Sequence, residues 1–114
     1  MSLTPYQENR PWGIFRQFTK NEKSTVKIIA VKPNEELSLQ THNNRDEFWH
    51  VIAGSGSITK GTEILQANPG NEFFVPRTTA HRISAGADGL SILEIATGDF
   101  DENDIIRLSD RYGR

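Results

Sequence analysis

Short runs rich in β-branched and aromatic residues, at 13–18, 25–31, 37–42, 47–53, 56–59, 62–67, 71–75, 81–84 and 91–96, alternate along the chain with Gly, Pro, Asn and Asp. This pattern confines the chain to all-β folds, because each run has strand length and each break carries turn chemistry. Asn68-Pro69-Gly70-Asn71 and Lys60-Gly61 read as turns, the latter closing a hairpin. Only 101–107 has the composition of a helical turn. Short strands at this spacing build a sandwich or a barrel. The 114 residues are read as one domain spanning 1–114, with no repeat, low-complexity tract or linker to divide it. Residues 1–8 lack strand patterning and are expected to be flexible or partly vector-derived.

One constellation carries chemistry. Gln40 and His42 are two apart, so on a strand they present an amide oxygen and an imidazole to the same face. The loop Asn43-Asn44-Arg45-Asp46 then delivers Glu47 from the next strand, and His81 must come from a third. Two nitrogens and two oxygens suit a divalent metal, zinc first, with manganese, iron, nickel or cobalt as alternatives. The competing reading is a barrel that keeps this geometry without an ion. Alternation places Trp49 inward with Glu47, beneath the candidate metal, and Phe73 and Val75 with it as barrel filling. Phe48, His50 and Ile52 then face outward, which calls for a second sheet or a dimer interface.

Charge and composition exclude several function classes. A net charge of −2 offers no electrostatic footprint for nucleic acid or an anionic membrane. With no cysteine, disulfides and thiolate metal sites are impossible, in keeping with a reducing cytoplasm. No apolar run approaches the ~20 residues needed to span a bilayer, and the N-terminus has no apolar signal core.

The spacing from Pro33-Asn34 through Gln40, His42 and Glu47 to Gly54, and from Gly70 through Pro76 and Thr78 to His81, resembles the two-part signature of the cupin barrel. Gln40 stands where cupins usually carry a first His, while Asn34 and Thr78 stand where they carry Gly. Pro33-Asn34 suits a type II turn, in which Asn tolerates the positive φ. The resemblance narrows with Arg10-Pro11-Trp12-Gly13, with 32–40, with Glu47-Phe48-Trp49, with Ile95-Ala96-Thr97-Gly98-Asp99-Phe100 and with Asp104-Ile105-Ile106-Arg107-Leu108. Together these are similar to the isomerase domain of type II mannose-6-phosphate isomerases, often fused behind a mannose-1-phosphate guanylyltransferase. Leu-Ser-Leu-Gln-x-His and Glu-x-Trp also resemble zinc-binding segments of the type I enzymes. The resemblance implies Gln40, His42, Glu47 and His81 as ligands, the four that spacing selects.

It also implies a homodimer acting on a small sugar phosphate, and the lack of cysteine adds the expectation of a cytoplasmic location. Mannose 6-phosphate and fructose 6-phosphate interconvert through an enediol, which requires a Lewis acid, a general base and cations for the phosphate. Glu94, inside an apolar run, is the base candidate; the alternative is a carboxylate on the solvent face of an alternating strand. Lys27, Arg45 and Arg82 are the phosphate candidates, although alternation sets Arg82 opposite His81. The family's His-His-His-Arg is His42-Asn43-Asn44-Arg45 here, and Phe48 replaces a His, so the rim has fewer imidazoles. The chain shows no Gly-rich nucleotide-binding segment, so guanylyl transfer is not expected of it. A non-catalytic sugar-binding cupin beside polysaccharide-precursor synthesis, or another metal cupin enzyme such as an oxygenase, are the alternative readings.

Overall fold

Two long bent strands, β5 (Arg45–Lys60) and β8 (His81–Gly98), run antiparallel to each other and organise everything else. The structure is a computed structural model that describes residues 4–113. The other strands are β1 (Tyr6–Arg10), β2 (Gly13–Gln17), β3 (Ser24–Val31), β4 (Leu39–Thr41), β6 (Glu63–Ala67), β7 (Glu72–Val75) and β9 (Ile106–Ser109). Every strand pairing is antiparallel, and no helix occurs among the described residues.

The first half of β5 pairs with β7 and with the second half of β8, whose far edge takes β3. The second half of β5 pairs with β6 and with the first half of β8, which is followed by β4 and then β9. Two facing layers therefore share the same two strands, the arrangement of a double-stranded β-helix. Sequence patterning splits each long strand into two runs, 47–53 with 56–59 and 81–84 with 91–96. Glycine is the reason they are continuous. A Cβ on Gly54 would strike the carbonyl oxygen of Gly89, and one on Gly56 that of Ser84. The register shifts at these points, and strands bend at such bulges without ending.

Trp49, Val51, Ile58, Val75, Ile83 and Ile92 fill the space between the layers, with Phe73 packed against them. On the outer side of β5, Phe18 lies 5.9 Å from the Phe48 ring and 5.8 Å from that of His50, so the segment after β2 covers part of that face. Two expectations need correction. Residues 6–10 form a strand in a separate hairpin with β2, which lacks apolar alternation because most of its side chains stay exposed. The 101–107 segment makes one turn, closed by the Asp104 N–H on the Asp101 carbonyl, and then enters β9. Pairing with β4 overrides local helical preference there.

Asn34 (φ 62°) and Thr78 (φ 68°) are both left-handed. Each occupies the third position of a turn, closed by Glu35 N–H on Lys32 O and by Thr79 N–H on Pro76 O. Asn is suited to this conformation, whereas β-branched Thr78 is strained by about 1–2 kcal/mol. The Thr78 N–H also reaches the His42 carbonyl, at 2.6 Å, so this strained turn props the segment that carries His42.

Candidate metal centre

The register brings three side chains to one point. His42 immediately follows β4, Glu47 points inward from β5, and His81 opens β8. His42 Nε2 lies 3.5 Å from Glu47 Oε2, and His81 Nε2 lies 3.2 Å from Glu47 Oε1. Ligand atoms of all three fall within 4.8 Å of one another, and all three residues are buried.

The backbone fixes how both imidazoles are oriented. His42 Nδ1 lies 2.7 Å from the Asp104 carbonyl and His81 Nδ1 lies 2.9 Å from that of Thr79. A carbonyl only accepts, so each Nδ1 carries a hydrogen and each ring turns its Nε2 towards Glu47. With the rings neutral, as metal ligation requires, His81 Nε2 and Glu47 Oε1 are two buried acceptors with no hydrogen-bond donor between them. Facing acceptors repel unless a proton or a cation lies between, so the donor set fits a divalent metal.

Gln40 pairs directly with His81 across β4 and β8 and lines the same cavity, of about 210 Å³. Its Oε1 accepts from the Ser38 hydroxyl at 2.9 Å and keeps a second lone pair. Arg45 is buried beside the cluster. It donates to Glu47 Oε2 at 3.0 Å, to His42 Nε2 at 3.2 Å and to the Asp101 carbonyl at 3.1 Å, with its guanidinium 4.3 Å from the Phe100 ring centre. Burial pushes the Glu47 carboxyl up, but in the metal-free protein a proton lying between His81 and Glu47, with the charge of His42 and the bond from Arg45, outweighs it and holds Glu47 at about 2. Burial pulls the His42 imidazole below its ordinary value, with the Arg45 and His81 charges acting the same way.

Glu94 faces the cavity from β8 and is only 4% exposed, so the solvent-face alternative is wrong. It accepts from Trp49 Nε1 at 3.1 Å and lies 3.5 Å from Lys27 Nζ. Burial raises it to about 7, with the negative charge of Glu47 adding to the effect and Lys27 and Trp49 opposing it. Trp49 also sets its ring 5.4 Å from that of His81, which places it beside the cluster as alternation predicts. Lys27 Nζ also sits 4.7 Å over Phe100. Arg82 reaches the cavity wall but is committed elsewhere, donating to the Leu37 carbonyl at 3.0 Å and to that of Ser109 at 3.2 Å, with Glu36 at 3.7 Å. His50 stays outside the cluster and bonds Glu72 at 2.8 Å.

Sequence reasoning missed the contribution of the 100–107 segment. The Asp104 carboxylate accepts from the backbone N–H groups of Asn43 and Asn44, at 2.9 Å each, while its carbonyl holds His42. Glu102, Ile105 and Arg107 line the cavity. The motif Asp104-Ile105-Ile106-Arg107-Leu108 was the available signal, but the helical reading of 101–107 hid what it does.

A double-stranded antiparallel barrel with two imidazoles and a carboxylate converging inside it is a cupin. The similarity to oxalate decarboxylase from Bacillus subtilis agrees, with a TM-score of 0.69 and 26% identity over 76% of this chain and 24% of that one. More closely, residues 4–110 match the family described as mannose-6-phosphate isomerase C-terminal, and the chain belongs to that family. The xanthan biosynthesis protein XanB of Xanthomonas campestris pv. campestris is 36% identical over 107 residues, covering 92% of this chain and 23% of the relative. The mannose-1-phosphate guanylyltransferase ManC of Salmonella typhimurium is likewise 36% identical over 107 residues, covering 92% and 22%. The chain thus spans under a quarter of the length of these curated relatives.

Proposed function

We propose that this chain is a metal-dependent aldose–ketose isomerase acting on a sugar phosphate of the mannose 6-phosphate type. The observation that carries the reading is the pair of facing acceptors, His81 Nε2 and Glu47 Oε1, in a buried cavity that also holds a carboxylate at about 7. His42, Glu47, His81 and the amide oxygen of Gln40 would hold the ion, zinc by preference. When bound, it would polarise the substrate's carbonyl oxygen and stabilise the charge that develops there.

The rest belongs to the chain. A carboxyl near 7 exchanges a proton readily at neutral pH, which suits Glu94 to move hydrogen between C2 and C1 as general base and then acid. Trp49 holds one of its oxygens and Lys27 lies beside the other, so the carboxyl is oriented before substrate arrives. Arg45 keeps Glu47 and His42 in place and is shielded by Phe100. Family membership supports the choice of substrate.

A second reading has one observation in its favour. His42, His81 and Glu47 alone form a two-imidazole, one-carboxylate face of the kind used for oxygen chemistry at iron. Elemental analysis of protein purified without added metal, followed by a coupled assay for fructose 6-phosphate, separates the two. The isomerase reading expects about one ion per chain and turnover. It also expects His42→Ala and His81→Ala to lower metal affinity by at least ~100-fold with the fold retained. Iron with oxygen uptake and no isomerisation would establish the second reading, and a wild type that takes up no metal on titration would end both.

A further inference from the structure

The cavity's charges are almost all paired with one another. Arg45 is held by Glu47, Lys27 lies beside Glu94, and Arg82 is tied to Glu36 and two carbonyls. These are the three cations that sequence reasoning offers for a phosphate. Arg107 is different. It lines the same cavity from β9 and is exposed at its mouth, and among the described residues its guanidinium makes no hydrogen bond or ion pair.

Its direction is set by a register shift. In a regular antiparallel ladder, Leu39 opposite Ser109 would place Leu108 opposite Gln40 and Arg107 opposite Thr41. The structure has a bulge between Leu39 and Gln40, so that Arg107 faces Gln40 and Ile106 faces Thr41. Directly opposed residues share a face of the sheet, and bulges commonly re-aim a side chain beside a site. Gln40 in turn opposes His81. His81, Gln40 and Arg107 therefore form one row across β8, β4 and β9, running from the buried cluster to the opening. With strands ~4.8 Å apart, the Arg107 Cα stands roughly 10 Å from that of His81.

We infer that Arg107 is the anion-binding residue of this cavity, and that it takes the phosphate of a sugar phosphate whose carbonyl end lies at the His42–Glu47–His81 cluster. The inference deepens the isomerase reading and rests on it for the carbonyl end alone. A guanidinium with free donors at the mouth offers a bidentate contact to phosphate that the paired cations inside do not. Glu102 also lines the cavity, and its negative charge there opposes an anion. The two residues should therefore respond in opposite directions.

The test is calorimetric binding of inorganic phosphate and of mannose 6-phosphate to the full chain, with and without zinc so that direct coordination to the metal can be subtracted. Arg107→Gln should weaken both anions by about 10-fold or more, leaving zinc content and the binding of unphosphorylated mannose unchanged. Arg107→Lys should fall between Arg107→Gln and wild type, because it keeps charge and loses the fork. Glu102→Gln should tighten both anions several-fold. Wild-type phosphate affinity in Arg107→Gln, or no phosphate binding by the wild type, would overturn the inference. Phosphate binding that depends on Arg107 without any isomerisation would uphold the anion site and remove the isomerase reading.

Discussion

Glu47 and Glu94 stand on adjacent strands, face one cavity and are similarly hidden from solvent, at 2% and 4% exposure. Their chemistry nevertheless diverges. Glu47 is held at about 2 and Glu94 rises to about 7. Burial acts upward on both, so the difference lies in the company each keeps. Around Glu47 stand His81, His42 and Arg45. Glu94 has an indole N–H and one half-exposed lysine at 3.5 Å, and it feels the charge of Glu47. Burial makes a carboxylate sensitive to its neighbours, and the count of donors and cations then decides whether it is a permanent anion or a proton carrier.

Substitution at Glu47 should have the largest effect. Glu47→Gln removes the charge that compensates buried Arg45, so metal-free protein should lose about 3–5 kcal/mol in a denaturant melt. Metal content after purification should collapse with it; retention of a full complement would break the assignment of Glu47 as the permanent anion. Next is Glu94→Gln, expected to lower kcat by about 10²–10⁴-fold while leaving metal content intact. A small loss would place the base elsewhere.

The pair also sets opposed slopes in the stability of the metal-free protein. Glu47 is lowered on folding, so its contribution is present above the ordinary carboxylate value of 4.5 and is lost as pH falls towards about 2. Glu94 is raised, so its contribution is present below 4.5 and is lost as pH rises through about 7. The carboxylate pair should therefore give a maximum near pH 4.5, and Glu94→Gln should remove the decline above it. A decline of unchanged steepness in the variant would refute the raised value.

Smaller changes sharpen the contrast. Trp49→Phe removes the donor that partly restrains Glu94, so the acid limb of kcat/KM should move to higher pH. Lys27→Met should move that limb in the same direction but less, since water screens a half-exposed ammonium. A shift to lower pH in either variant would contradict the causes given for Glu94.

Much of this site was legible from local pattern. The inward parity of Glu47, Trp49, Phe73 and Val75 follows from a two-residue period that needs no partner strand. The Pro33-Asn34 turn behaved similarly, since Asn34 adopts the positive φ its turn calls for, whereas the positive φ of β-branched Thr78 had no local signal beyond its place where related barrels carry glycine. Glu94 was harder. A carboxylate in an apolar run is compatible with either face, and only the pairing of β8 with β3 and β5 turns it inward.

What the amino-acid order determined by itself was the all-β character, the turns, and which residue types fall on a common face. These are short-range properties of chain geometry. What only the tertiary structure decided was that β5 and β8 each continue through a glycine-lined bend, that 101–107 leads into a strand, and that Asp104 supports His42. A bulge opposite Gln40 also turned Arg107, in place of Leu108, towards the cavity. Each depends on which distant backbone supplies the hydrogen-bond partner, and no local periodicity encodes that choice.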